Sequence, residues 1–320
     1  MSSGRNILNK VRLNSSLGII LIITAAVSWG LSAVFFIPNL YNLPVTFVVL
    51  LQNFLSFILM SVLCPKEYAY ALKIPGKILF LLSLIALFSG VIGTLAIVKA
   101  LFLVNFKQLS VVVLIQKVQP VFTVILALIF LKEKLAKNFV LWSLIVFVGV
   151  YMITFGFHAP DFSTTNSHLM AYLLSIISAL SFSTNTILGR YLANSVSFLS
   201  ITFHRFFFGT IFSVIACLMT GTLWCFGQIT FHNYIFLIAI VIIAGPPSMF
   251  IYYFGLKYVK AMVSAICELA LPFSVIILDY LINGNVLTLT PWAGAIIMII
   301  GIMKISNQTK VPQSVKTSNT

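Results

Sequence analysis

The chain has 320 residues, of which 61% are hydrophobic and only 8% charged, and its mean hydropathy is +1.12. A soluble protein carries about 25% charged residues, so a water-facing globule is excluded and an integral membrane protein is expected. The net charge of +14 sits in short segments between apolar runs, with no basic face of interleaved aromatics, which excludes nucleic acid as a partner.

In chain order, a basic start (Arg5, Lys10, Arg12) precedes the first apolar run, 17–37. That order resembles a signal peptide, but no small-x-small cleavage site follows, so the run reads as a retained first span. Crossing the hydrocarbon takes about 20 apolar residues. Further runs of that kind fall at 44–63, 78–103, 108–130, 139–157, 169–189, 197–219, 233–255, 261–281 and 290–305. Pro38, Pro44, Pro65, Pro75, Pro160, Gly221 and Gly227 punctuate most of the boundaries. The divisions near 104–108 and 256–260 are marked by little more than a lysine. The expected organisation is a cytoplasmic tail at 1–16, five-helix units at 17–157 and 169–305, and a disordered cytoplasmic tail at 306–320, rich in Ser, Thr, Gln and Lys.

Basic residues test the span count. With a cytoplasmic N-terminus, the inner segments collect the N-terminal trio, Lys66, Lys73 and Lys77, then Lys132, Lys134 and Lys137, then Arg190, Lys257 and Lys260, and finally Lys304, Lys310 and Lys316. The outer loops hold only Lys107. Ten spans with both termini cytoplasmic therefore satisfy the positive-inside rule.

The two halves match at a fixed offset. Gly93, Pro120 and Gly149 stand 152 residues before Gly245, Pro272 and Gly301, and Gln116 falls on Glu268. Gln52-Asn53 falls on His204-Arg205, and "VSWGLS" aligns loosely with "LSFSTN" at an offset of 153. Five helices per half is an odd number, so the second copy must enter from the opposite side. The fold class expected is all-α integral membrane, ten transmembrane helices in two inverted five-helix repeats, with binding near the midplane at the repeat interface.

"VSWGLS", "QPVFTVILALIFLKEKL" and "LIVFVGVYMI" together resemble the EamA-type family of the drug/metabolite transporter superfamily. Pro120, Phe122, Leu131, Glu133 and Leu135 stand where that family ends its fourth helix in a proline–aromatic run and a Leu-x-Glu-x-Leu turn. The resemblance covers two copies from Leu17 to about Lys304 and is specific for fold, weak for substrate. It implies a transporter of a bacterial cytoplasmic (inner) membrane, and cavity-facing places for Trp29 and Asn185. The second copy departs from it, with "LINGNVL" lacking the acid. Asn53 also stands where the family's second helix often has an arginine, which the second copy keeps as Arg205.

Ionisable groups deep in a bilayer cost about 2.5–3.5 kcal/mol and usually face a bundle interior. Lys117, Arg205 and Glu268 all fall well inside their spans. Gln116, Gln119, Pro120 and Thr123 follow helical spacing on one face, with Lys117 at its edge. Ser264, Glu268, Leu271 and Pro272 form the equivalent face in the second half. Pro120 and Pro272 are helix breaks, each removing a donor and freeing the carbonyl one turn earlier, Gln116 and Glu268 respectively. Such a carbonyl is tolerated where it lines a cavity or meets another helix. The candidate substrate-binding residues are therefore Gln116, Lys117, Gln119, Glu268, Arg205, Trp29, Asn53 and Asn185. A purely structural Lys117–Glu268 pair is the bland alternative, and interhelical hydrogen bonding is the bland alternative for both glutamines. For Tyr252 and Tyr253 a lipid-facing or interfacial position competes with a cavity role. Lys132-Glu133-Lys134 reads only as the cytoplasmic end of its span.

Basic groups outnumber the acid at depth, Lys117 and Arg205 against Glu268, which favours a ligand with an anionic group. The expected function is secondary-active transport of an amino acid, related zwitterion or organic anion by alternating access. Glu268 is the candidate for proton coupling, since a low dielectric disfavours a charged carboxylate. A nucleotide-like or cofactor-metabolite carrier is the nearest alternative, and a non-transporting structural or sensor protein the next. An enzyme is not expected: dispersed histidines, five acidic residues and four cysteines without a CxxC offer no nucleophile–base pair or metal set. No cofactor or metal is implied. The expected partners are a small-molecule substrate, the lipid bilayer and, as options, protons and a second copy in a homodimer.

Overall fold

The computed structural model describes residues 2–71, 73–104, 109–159, 166–283 and 289–308, and every regular element among them is helical. Eight helices are long and apolar enough to cross a membrane: α1 (Ser15–Leu40), α2 (Val45–Leu63), α3 (Gly76–Ala100), α4 (Val111–Phe130), α6 (Asn166–Leu192), α7 (Phe198–Thr220), α8 (Phe231–Leu256) and α9 (Ala261–Ile282). Two more, α5 (Phe139–Phe155) and α10 (Leu289–Ile305), are apolar but shorter. With 17 residues, α5 stands at the lower end of the length that crosses hydrocarbon. The helical path of α1 begins at Ser2, and that of α10 runs on to Gln308. The expected disordered tail lies, from 309 onward, outside the described residues, and so does the doubtful division at 105–108. At the other doubtful division, a break after Leu256 separates α8 from α9.

Large apolar side chains cover the outside at helical spacing. Ile125 and Ile129 on α4, Leu144 and Val148 on α5, Ile211 and Ile215 on α7, and Ile296 and Ile300 on α10 are all exposed. Water is no partner for so much apolar surface; lipid is. The helices consequently associate through small residues that let backbones approach. A Cβ added at Gly149 of α5 would lie 2.7 Å from the Gly294 carbonyl of α10, and the reciprocal addition at Gly294 meets the Gly149 carbonyl at 2.7 Å. Gly18 of α1 and Gly255 of α8 touch in the same reciprocal way, at 2.9 and 2.8 Å.

The packing repeats when the halves are exchanged. Helix α1 packs on α8 and α9, and its counterpart α6 packs on α3 and α4, while α2 packs on α7 and α5 on α10. The three sequence matches share structural places. Gly93 and Gly245 each mark the restart of a helix, after a wide-turned segment (Ala86–Ile92) in α3 and a break in α8. Pro120 and Pro272 each open the second half of a broken helix, and Gly149 and Gly301 both sit in the α5–α10 contact.

Candidate functional site

Both α4 and α9 break where the sequence places its polar groups. In α4 the ladder gives way at Lys117–Val118, and the Val118 and Val121 amides turn to carbonyls three residues back, at 3.1 and 2.9 Å. In α9 it gives way at Glu268–Leu269, with the Leu269 and Leu271 amides doing the same at 3.2 and 3.0 Å. Pro120 and Pro272 explain both, since neither can donate and each ring crowds the preceding turn. The carbonyl that Pro272 was expected to free, that of Glu268, is taken by the Leu271 amide rather than left to the cavity.

Between the broken helices lies a cavity of about 320 Å³, within the range typical of small-molecule sites. Residues from α1, α2, α3, α4, α6, α7, α8 and α9 line it, whereas α5 and α10 contribute none of the lining. The structure brings all eight proposed binding residues onto this one wall: Trp29, Asn53, Gln116, Lys117, Gln119, Asn185, Arg205 and Glu268. The helix-break residues Pro120 and Pro272 are buried but are not among its lining residues.

Glu268 is the hub of one pole. Its Oε1 accepts from the hydroxyls of Tyr252 at 2.8 Å, Ser264 at 3.1 Å and Thr186 at 3.4 Å, and its Oε2 from the Gln119 amide at 2.9 Å. Those donors come from α8, α9, α6 and α4, so one carboxylate joins four helices drawn from both repeats. The Thr186 hydroxyl also meets the Tyr252 hydroxyl at 2.9 Å, and three of the donors crowd Oε1, so Oε2 keeps room for a further donor. Lys117 feels the charge of Glu268 but forms no direct ion pair with it, and no side-chain hydrogen bond holds its ammonium among the described residues. The bland reading of a paired Lys117–Glu268 is thus not what the structure contains.

Arg205 anchors a second pole. It is 8% exposed, and its Nη2 donates to Ser89 Oγ at 3.3 Å, while its buried Nε has no acceptor. Its guanidinium also lies 5.3 Å from the centre of the Phe206 ring. Nearby on the lining, Asn53 donates to Ser213 Oγ at 2.9 Å, and Asn185 accepts from the Tyr253 hydroxyl at 2.7 Å. Aromatic faces link the poles. The rings of Trp29 and Tyr252 stand 5.3 Å apart, and those of Tyr252 and Tyr253 5.4 Å apart. The indole nitrogen of Trp29 is buried without a partner.

Several lining residues escaped the sequence reading. Phe182 occupies the place of Trp29 at the offset of 153, so the repeat itself carried that signal. Gln52, Ser56, Ser89 and Thr94 are small or neutral polar residues that sequence does not separate from ordinary helix contacts. Tyr252 and Tyr253 are 1% and 0% exposed, so the lipid-facing alternative is corrected to an interior one. Two residues read as mere topology signals also have interior work. Glu133 accepts from the Ala261 and Met262 amides at 2.9 and 3.3 Å, capping α9, and Arg190 donates to the Leu256 and Lys257 carbonyls at 2.6 and 2.7 Å, capping α8.

Comparison with known proteins gives three findings. The model of the EamA-like transporter family matches residues 16–155 and again 169–307. The chain is 41% identical over 290 residues to the riboflavin transporter ImpX of Fusobacterium nucleatum subsp. nucleatum, covering 90% of this chain and 97% of that protein. A protein of known crystal structure superposes with a TM-score of 0.68 over 92% of this chain and 95% of its own, at 14% identity, which shows a shared fold.

Proposed function

The chain belongs to the EamA-like transporter family, and we propose that the metabolite it carries is a flavin, riboflavin or a close derivative. The observation that supports this is the 41% identity to a riboflavin transporter, spread over 97% of that relative. On this reading, alternating access in a bacterial cytoplasmic membrane moves the substrate through ten spans, with the repeats inverted and both termini cytoplasmic.

The cavity suits the chemistry of a flavin. An isoalloxazine is a flat tricycle with an apolar edge, a polar dione edge and a polyhydroxylated tail. Trp29, Phe182, Phe206 and Tyr252 offer ring faces or edges, which prefer offset and tilted partners at 4.5–7 Å. Gln52, Asn53, Gln116 and Asn185 offer amides to the dione and the tail hydroxyls.

The amino-acid expectation yields to the alternative of a cofactor-metabolite carrier. The 41% identity to a riboflavin transporter carries that choice. The convergence of donors from α4, α6 and α8 on Glu268 favours a bracing role for it over proton coupling.

Purified protein in liposomes, given riboflavin with and without a mixture of amino acids, tests the reading through flavin fluorescence retained after washing. Saturable uptake that amino acids do not compete is expected. Absence of flavin uptake together with transport of an amino acid would overturn it.

A further inference from the structure

Two cations reach the cavity from opposite repeats, Lys117 at the break in α4 and Arg205 on α7. Neither forms an ion pair among the described residues, although Glu268 acts on Lys117 through space. Glu268 accepts its four hydrogen bonds from neutral donors and pairs with neither cation. Lys117 has no side-chain hydrogen bond there. Arg205, 8% exposed, meets neutral partners, Ser89 at 3.3 Å and the Tyr253 hydroxyl, and its buried Nε has no acceptor among the described residues.

A guanidinium is not deprotonated in proteins. Its charge therefore persists in a cavity walled by apolar helices, where unpaired charge is costly. A neutral flavin supplies carbonyl and ring-nitrogen acceptors but no compensating charge. A phosphomonoester supplies about −1.5 to −2 charges and three acceptor oxygens, and its geometry matches the donor fork of arginine.

Resting on the flavin reading above, we propose that the cavity takes the 5′-phosphate ester of riboflavin, flavin mononucleotide, as a substrate in preference to the unphosphorylated compound. The phosphate seats on Arg205, and Lys117 supplies the second positive charge. The ring system lies against Trp29 and Tyr252. Counting Lys117, Arg205 and Glu268 together, the lining keeps a positive excess, and the phosphate of the ligand offsets it.

The test uses the full chain in liposomes, with riboflavin and flavin mononucleotide offered singly and in competition, and inorganic phosphate as a separate competitor. The expected result is that flavin mononucleotide displaces riboflavin at a concentration at least tenfold lower than riboflavin needs to displace itself. Inorganic phosphate at the same concentration does not displace it. Arg205→Gln is expected to lower the ratio of phosphorylated to plain flavin uptake at least tenfold, and Lys117→Gln to lower it less. The comparison on the parent protein decides the question even where a variant fails to fold. Riboflavin uptake indifferent to flavin mononucleotide overturns the proposal and leaves the flavin reading standing. Displacement by inorganic phosphate as strong as by flavin mononucleotide also overturns it, since the site would then hold a free anion rather than a phosphorylated flavin. Uptake of neither flavin overturns both.

Discussion

The amide of Gln119 donates to the carboxylate of Glu268 across 2.9 Å, tying the break in α4 to the break in α9. Tyr252, Ser264 and Thr186 converge on the same carboxylate. Interhelical hydrogen bonds in membranes average about 0.6 kcal/mol each, with a maximum near 1.7. Removing the acceptor common to three of them, and to the Ser264 bond within α9, in Glu268→Ala is expected to cost about 2–4 kcal/mol, against about 1 kcal/mol or less for Gln119→Ala. Thermal unfolding in detergent would read the difference. Equal losses in the two variants would contradict a hub centred on Glu268.

As a brace, Glu268 also makes a prediction about energy coupling. Flavin uptake into liposomes is expected to proceed at the same rate with and without an imposed proton gradient. Glu268→Gln, which keeps two acceptor lone pairs and loses the charge, is expected to slow uptake equally in both conditions. A gradient that accelerates the parent and not the glutamine variant would restore the coupling role.

The ring of Trp29 stands 5.3 Å from that of Tyr252, and its buried indole N–H has no partner among the described residues. A flavin acceptor at that nitrogen would gain both a hydrogen bond and an aromatic contact, the latter worth about 0.5–1.5 kcal/mol. Trp29→Phe is expected to keep the contact and lose the hydrogen bond, weakening riboflavin binding about fivefold, a loss near 1 kcal/mol. Trp29→Ala loses both and should weaken it about thirtyfold. Quenching of flavin fluorescence on titration with protein measures both. Identical affinities for the two variants would place the indole nitrogen away from the ligand.

The parts of this protein that were legible before the structure are those governed by cost. Prolines at 120 and 272 and ionisable groups at 117, 205 and 268 are expensive in a bilayer, so their presence alone marked the broken helices and the cavity wall. Tyr252 was not legible because an amphipathic ring suits a lipid headgroup as well as a cavity. Glu133 and Arg190 were hidden for another reason. Charge near a span end is cheap, and nothing in the local sequence shows that the partner is the end of a distant helix. The bland alternative of a Lys117–Glu268 pair has no ion pair behind it among the described residues, where neutral donors reach the carboxylate instead.

Contact between α5 and α10 has no cavity to line, so its role is tested by stability alone. A methyl group at Gly149 would sit 2.7 Å from the Gly294 carbonyl and 2.8 Å from the Met298 amide nitrogen, both of them backbone atoms that cannot rotate away. Gly149→Ala must therefore push the two helices apart, and overpacking of this kind costs about 1–3 kcal/mol. Gly90, whose added Cβ meets nothing within 4 Å, provides the contrast. Gly90→Ala is expected to leave the unfolding temperature nearly unchanged, and a comparable fall in both variants would count against close α5–α10 packing.

Glu133 closes one end of the molecule by holding the first amides of α9, Ala261 at 2.9 Å and Met262 at 3.3 Å, while Lys260 donates to the Lys134 carbonyl at 3.0 Å. These contacts join the turn after α4 to the start of α9 across the repeat boundary, and a carboxylate at a helix N-terminus gains from the dipole as well. Losing such a cap costs about 0.5–2 kcal/mol, enough to raise the population of states in which this end opens by about twofold to about thirtyfold. Cys267, 1% exposed and on the same segment of α9, is a natural reporter. In a variant retaining only this cysteine, Glu133→Ala is expected to speed maleimide labelling of Cys267 several-fold. Glu133→Gln keeps an acceptor oxygen and should speed it less. Labelling that is equally slow in all three proteins would mean that the contact holds no opening motion in check, and that this end is kept shut by apolar packing instead.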